Sequence, residues 1–155
     1  MVQNNGYVAV IGPGDATVDE ARVAERLGEL LAEAGVVVVC GGLGGVMAAV
    51  SSGVRRRGGL VVGLLPGRDR AAGNAHLSVA LPTGLGELRN GLVVAAADAV
   101  VAVGGSWGTL SEIALAMRAG KPVVSIAGWT VGPEVTAVDT AEEAVACLGL
   151  SRPGP

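Results

Sequence analysis

Arg89 and Glu112 are the residues best placed to act chemically, because each is an isolated charge in an apolar setting. Arg89 lies in ELRNGLVVAAA (87–97), which reads as a helix that is apolar nearly all round after its first turn, hence buried. The positive end of the helix dipole disfavours a cation there, so a buried Arg89 needs an anion. Glu87, Glu112 and a ligand phosphate are the anions within its reach. Glu112 belongs to a second predicted helix, 107–119, on which Leu110, Ile113, Ala114 and Met117 form the core stripe. That stripe puts Glu112 on the opposite side, in the early turns, beside a glycine-rich loop. An arginine and a glutamate so placed would clamp a phosphate and supply an acid or a base. The plainer alternative is a buried ion pair with a structural purpose only.

The loop ahead of Glu112 is one of three glycine-rich turns: Gly12-Pro13-Gly14, Gly41-Gly42-Leu43-Gly44-Gly45 and Gly104-Gly105-Ser106-Trp107-Gly108-Thr109. Each closes an apolar run and opens a helix-like stretch. Backbone amides at a helix N-terminus attract anions, and glycine lets a ligand approach them closely. The predicted phosphate-binding set is Gly12, Gly14, Gly42, Gly44, Gly45, Gly104, Gly105, Ser106, Gly108 and Thr109 of these turns, with Arg89 for its charge and its neighbour Asn90. The first turn is not G-x-G-x-x-G and no acidic residue ends the second strand, so there is no dinucleotide fingerprint. G-x-x-x-x-G-K-[ST] is missing too, which argues against a P-loop NTPase.

Alternating strands and helices must hold these turns together. Apolar runs predict strands at 7–11, 36–40, 60–65, 77–81, 98–103, 122–127 and 135–138. Thr17 and Glu20 form a capping box ahead of a helix whose stripe is Val23, Leu27, Leu30, Leu31 and Ala34. Further helices are expected over about 44–57, 87–97 and 107–119, with a terminal one capped by T-A-E-E (140–143). Continuous apolar strands alternating with helices imply a parallel sheet covered on both faces, an α/β Rossmann-like doubly wound domain. Residues 1–150 read as a single such domain, and 151–155 as a disordered tail. Ligands of such sheets bind outside the carboxyl ends of the strands, where all three glycine turns fall.

Composition narrows the class. A net charge of −3, with Arg55-Arg56-Arg57 as the only basic block, gives no nucleic-acid surface; three arginines ending a helix suit its dipole. No apolar run is long enough to span a bilayer, and MVQNNGY lacks signal-peptide charge, so a cytoplasmic protein without a membrane partner is expected. Cys40 and Cys147 read as buried free thiols. His76 has no partners at ligand spacing, so no metal site is predicted. Trp107 and Trp129 read as packing residues, with stacking on a planar ligand an alternative for Trp107, and the 66–76 loop with Arg68 and Arg70 could cover the site. Residues 88–128 hold only Arg89, Asp98, Glu112, Arg118 and Lys121 as charges. Helices so poor in charge predict a homodimer or higher homo-oligomer.

The stretch G-G-x-x-G-T-x-x-E, Gly104 to Glu112, resembles the signature of the LOG superfamily, formerly known as lysine decarboxylases. Its best-known members are cytokinin riboside 5′-monophosphate phosphoribohydrolases. GGLGGVMAA resembles the second glycine motif of that superfamily, and the likeness spans about 7 to 129. P-G-R-D…A-G-N-A-H, P-T-G-L-G (82–86) and Arg89-Asn90 resemble the bacterial branch related to the molybdenum cofactor carrier protein. This resemblance implies a small, oligomeric Rossmann-like protein that binds a phosphorylated pterin without transforming it. It implies no required cofactor, and as ligand an AMP-like nucleotide, phosphate or a molybdopterin-type molecule. The enzymatic alternative implied is cleavage of a nucleoside 5′-monophosphate to free base and ribose 5-phosphate, with Arg89 and Glu112 matching the catalytic arginine and glutamate. Val103 stands where the phosphoribohydrolases carry proline, and Asn90 where they carry lysine. The old decarboxylase reading has no chemical support, since Lys121, the only lysine, precedes Pro122 in a helix-to-strand turn.

Overall fold

The computed structural model describes residues 6–150; the tail predicted at 151–155 lies outside them. Seven strands form one sheet: β1 (Tyr7–Ile11), β2 (Val37–Cys40), β3 (Val61–Leu65), β4 (Val79–Pro82), β5 (Ala99–Val103), β6 (Val123–Ile126) and β7 (Thr136–Val138). Their order is β4-β3-β2-β1-β5-β6-β7 and every pairing is parallel. The expected α/β Rossmann-like fold is therefore present. Five α-helices connect the strands: α1 (Val18–Glu33), α2 (Val46–Arg56), α3 (Arg89–Ala95), α4 (Trp107–Arg118) and α5 (Ala141–Cys147). One apolar layer sets Leu27, Leu31, Val50 and Val54 of α1 and α2, with Ala141 and Ala144 of α5, against Val8, Val10 and Val38. The opposite layer sets Val93 and Val94 of α3, with Ile113 and Ala116 of α4, against Ala9, Ile11, Val100 and Ala102. After β4 the chain crosses to the far side of β1 to begin β5, which opens a crevice at the carboxyl ends of the central strands.

Local chemistry explains the helix limits. Thr17 accepts from the Glu20 amide at 3.1 Å while Glu20 accepts from the Thr17 amide at 3.0 Å, the predicted capping box. Thr140 and Glu143 repeat the device at α5. Gly28 and Gly53 let α1 and α2 touch backbone to backbone: a Cβ on either would collide with a carbonyl of the other helix, at Val50 and Glu25 respectively. The basic block does more than complement a dipole. Arg56 pairs with Glu25 and Glu29, and Arg57 with Glu29 and Glu33, so the two helices are also joined by charge.

Three expectations change. The 87–97 segment is not one buried helix: a 3-10 turn at Gly86–Leu88 precedes the seven-residue α3, whose outer face leaves Leu88 78% and Leu92 42% exposed. Only its inner face, Arg89, Val93 and Val94, is buried, because none of the described residues covers the other. On α4 the inward residues are Thr109, Glu112, Ile113 and Ala116, whereas Ala114 faces out. The stripe is rotated from the predicted one, so Glu112 turns inward. Cys40 is buried as expected, but Cys147, in the last turn of α5, is exposed.

Lys121 also has a role its position in a turn did not disclose. Its ammonium donates to the Val94, Ala95 and Ala97 carbonyls at 2.6, 3.0 and 2.5 Å. It thereby caps the carbonyls that end α3, where the dipole favours a cation. The lone lysine holds α3, and with it Arg89, against the sheet.

Candidate functional site

A cavity of about 160 Å³ opens at the carboxyl ends of β1 and β2, between α3 and α4. Val10, Ile11, Gly12, Gly14 and Gly41 form its floor. Arg89 and Asn90 of α3, Met47 of α2, and Ser106, Gly108, Thr109 and Glu112 around α4 form its walls. Of the predicted set, Gly12, Gly14, Arg89, Asn90, Ser106, Gly108, Thr109 and Glu112 meet in this one place.

Gly42, Gly44, Gly45, Gly104 and Gly105 do not line it. Four of these are hemmed in by the protein itself. A Cβ on Gly42 would press on Leu65, one on Gly104 on the Glu20 carboxylate, and one on Gly105 on the Trp129 indole, while at Gly45 it would strike the Pro13 carbonyl. The amide of Val46, the first of α2, is already spent on the Pro13 carbonyl at 3.0 Å. The second glycine turn is thus a brace between loops. Asn74 pins it from outside, its amide donating to Gly42 O at 2.9 Å and its side chain to Leu43 O at 3.1 Å.

The amides that remain open belong to α4. Ser106 caps this helix, its hydroxyl accepting from the Thr109 amide at 3.2 Å and lying 2.9 Å from the Thr109 hydroxyl. The amides of Trp107 and Gly108, ahead of that bond, have no acceptor among the described residues and stand at the positive end of a three-turn helix. Gly108 lines the cavity, so an anion there would meet its amide, with that of Trp107 one residue earlier at the cavity's margin.

Arg89 is 9% exposed and reaches across the crevice. Its Nε donates to Leu64 O at 2.9 Å, an Nη to Gly41 O at 3.3 Å, and the other Nη to Asn90 Oδ1. Those acceptors are strand-end carbonyls and a neutral amide. Among the described residues no carboxylate lies within ion-pair distance of it, so the structural Arg–Glu pair is not made. Burial lowers its pKa and the field of Glu112 opposes that, yet a guanidinium keeps its charge. Glu112 is 8% exposed, and its carboxyl borders the cavity with no side-chain hydrogen bond or ion pair among the described residues. Burial pushes its carboxyl up to about 7, the positive field of Arg89 restraining the rise. The cavity therefore holds one fixed positive charge and one carboxyl that titrates near neutrality.

Gly41 and Met47 line the cavity without having been predicted. Gly41 belongs to a quoted motif, so its strand-end position was a usable signal; Met47 carried none, being an ordinary apolar residue of α2. Trp129 packs as expected and donates from Nε1 to Ser106 O at 2.9 Å, whereas Trp107 is 78% exposed. Arg68, Arg70 and His76 are exposed and stand outside the cavity, and no cluster of metal-ligating side chains occurs among the described residues. No described helix is long and apolar enough to cross a membrane.

Comparison with known proteins places this geometry among relatives. The family model described as the SLOG cluster4 family matches residues 5–149. An uncharacterized protein of Archaeoglobus fulgidus is 43% identical over 138 residues, 89% of this chain and 91% of that one. The molybdenum cofactor binding protein from Rippkaea orientalis superposes with a TM-score of 0.88 at 32% identity, covering 92% of this chain and 94% of that one. The molybdenum cofactor carrier protein from Chlamydomonas reinhardtii gives a TM-score of 0.84 at 29% identity, covering 92% and 95%.

Proposed function

The chain belongs to the SLOG cluster4 family, and we propose that it is a carrier-type binding protein for a phosphorylated nucleotide or pterin-type small molecule. The observation that carries this reading is the buried Arg89 guanidinium with no ion-paired carboxylate, lining one cavity with the open Gly108 amide at the start of α4. A buried cation without a counter-charge is costly, and a ligand phosphate would supply the missing anion. The ligand phosphate takes the amides of Trp107 and Gly108 with Arg89 opposite, and Gly12 and Gly14 allow its close approach. The likeness to molybdenum cofactor binding and carrier proteins supports a molybdopterin-type cargo. The donors fit its phosphate, and they are amides and a guanidinium, with no thiolate or imidazole set toward a metal.

A second reading rests on Glu112. A buried carboxyl that titrates at about 7 beside a phosphate site is matched to acid–base work at neutral pH. As a phosphoribohydrolase, the protein would hold the phosphate with Arg89 and let Glu112 stabilise the developing oxocarbenium charge or activate water. Asn90, in place of a lysine, leaves the site one positive charge poorer for that task, and the carrier reading is preferred. Incubation with a panel of nucleoside 5′-monophosphates separates the two. The carrier reading expects binding with no free base or ribose 5-phosphate released; steady release that Glu112→Gln abolishes would establish the enzyme.

The apolar outer face of α3 belongs to the same proposal. Val79 and Leu81 of β4 pair in register with Val62 and Leu64, the latter packed on the α3 side of the sheet. All of Val79, Leu81, Leu85 and Leu92 are exposed there. A second copy of the chain packed on this side would cover them, a reading the charge-poor sequence supports.

A further inference from the structure

The cavity between Arg89 and Glu112 is small. Its volume of about 160 Å³ falls below the ~300–1,000 Å³ of ordinary ligand pockets, so it takes the phosphate-bearing end of a ligand and not the whole. Asn90 and Gly108 line this cavity and also a second, adjacent recess of about 540 Å³. Leu88, Gly91, Trp107 and Leu115 give that recess apolar walls, and Glu87 stands at its edge.

Trp107 dominates it. The indole belongs to the first residue of α4, one peptide from Gly108, and is 78% exposed. It is nevertheless held: its ring lies 5.3 Å from that of Trp129, tilted by 41°, and Trp129 is in turn fixed to Ser106. A broad aromatic face, already ordered and open to solvent, loses little freedom when a flat partner covers it.

From this adjacency we infer that the recess is the outer half of one ligand site, taking a planar heterocycle against Trp107 while its phosphate occupies the inner cavity. The inference rests on the proposed phosphate-binding role of that cavity and adds where the group attached to the phosphate lies and which side chain holds it. Glu87 accepts from a ring N–H or an exocyclic amine, so an amino-substituted heterocycle suits the recess better than an aliphatic chain.

Titration calorimetry with AMP and with ribose 5-phosphate, on the wild type, Trp107→Ala and Trp107→Phe, tests it. AMP binds the wild type more tightly than ribose 5-phosphate does, and quenches the tryptophan fluorescence. Trp107→Ala weakens AMP about tenfold, as the loss of one base–aromatic stack would. The same change leaves ribose 5-phosphate within about twofold by that reasoning, since no stack is lost. Trp107→Phe, which keeps an aromatic face and guards against a folding defect, restores most of the AMP affinity. Equal affinity of the two probes for the wild type would overturn the outer site while leaving the phosphate cavity in place. A parallel loss of both probes in Trp107→Ala, with dissociation of the oligomer, would also overturn it and give the recess to a second copy. If neither probe binds the wild type, the phosphate-site reading itself falls, and the outer site with it.

Discussion

Arg89 and Glu112 face one cavity from neighbouring helices, both more than nine-tenths buried, yet they form no ion pair. Two opposite charges that share a buried space normally close on each other to offset their desolvation. Here the guanidinium is turned instead to the strand-end carbonyls of Gly41 and Leu64, which leaves room between the two groups for a third. The two groups therefore act on each other through their fields, with no direct hydrogen bond between them to break.

Arg89→Ala separates binding from stability. Its partners are two carbonyls and a side-chain amide, so the variant should lose less than the about 3–5 kcal/mol that follows when a buried ion pair is broken. Phosphate-ligand affinity should fall by about 2 kcal/mol or more, roughly thirtyfold, as a charged hydrogen bond is lost. Thermal melts beside calorimetric titrations read both quantities. A large loss of stability with unchanged affinity would make Arg89 a structural residue.

Glu112→Gln should stabilise the protein at alkaline pH. Glu112 titrates at about 7 in the folded chain and near 4.5 when unfolded, so folding favours its protonated form. Its contribution to stability is full below about 4.5, is lost as pH rises toward about 7, and stays lost above. The gap corresponds to about 3 kcal/mol at most, so glutamine should raise the melting temperature at pH 8 and leave it unchanged near pH 4. Equal melts of the two proteins at pH 8 would mean that the buried carboxyl carries no strain.

Sulfate, whose charge is constant across neutral pH, should bind more weakly as pH rises through about 7. Ionised Glu112 then cancels the charge of Arg89 and repels the anion. Competition titrations at pH 6 and 8 should differ several-fold in the wild type and hardly at all in Glu112→Gln. A flat wild-type profile would mean that Glu112 does not face the bound anion.

Much of this site could be read from the chain alone. Valine-rich runs and the Thr17–Glu20 box disclosed the alternation of strands and helices, and the isolated charges at Arg89 and Glu112 disclosed the pair at the centre. Other features depended on packing that no periodicity encodes. The rotation of α4 that turns Glu112 inward and Ala114 outward reflects how Ile113 and Ala116 settle on the sheet. Small apolar residues all round that helix left the register ambiguous. The glycines at 42, 45, 104 and 105 lie outside the cavity, and each is also hemmed in by neighbours distant along the chain, Glu20 and Trp129 among them, which no local motif discloses. Lys121 was opaque for the same reason, its three acceptors lying 24 to 27 residues away.

The uncovered side of α3 predicts self-association. Light scattering at micromolar concentration should give a dimer or larger species, and Leu92→Glu should yield a monomer with a little-changed melt. Leu92 is 42% exposed within one chain, so glutamate there costs little to the fold itself. A wild-type monomer mass across ordinary salt would end the proposal.

If the cavity between Arg89 and Glu112 receives the phosphate of a small molecule, a crystal soaked with AMP should reveal it. Phosphate density is expected against the amides of Trp107 and Gly108, within hydrogen-bond reach of the Arg89 guanidinium. Ligand density found only elsewhere on the molecule, with this cavity holding none, would refute the phosphate site.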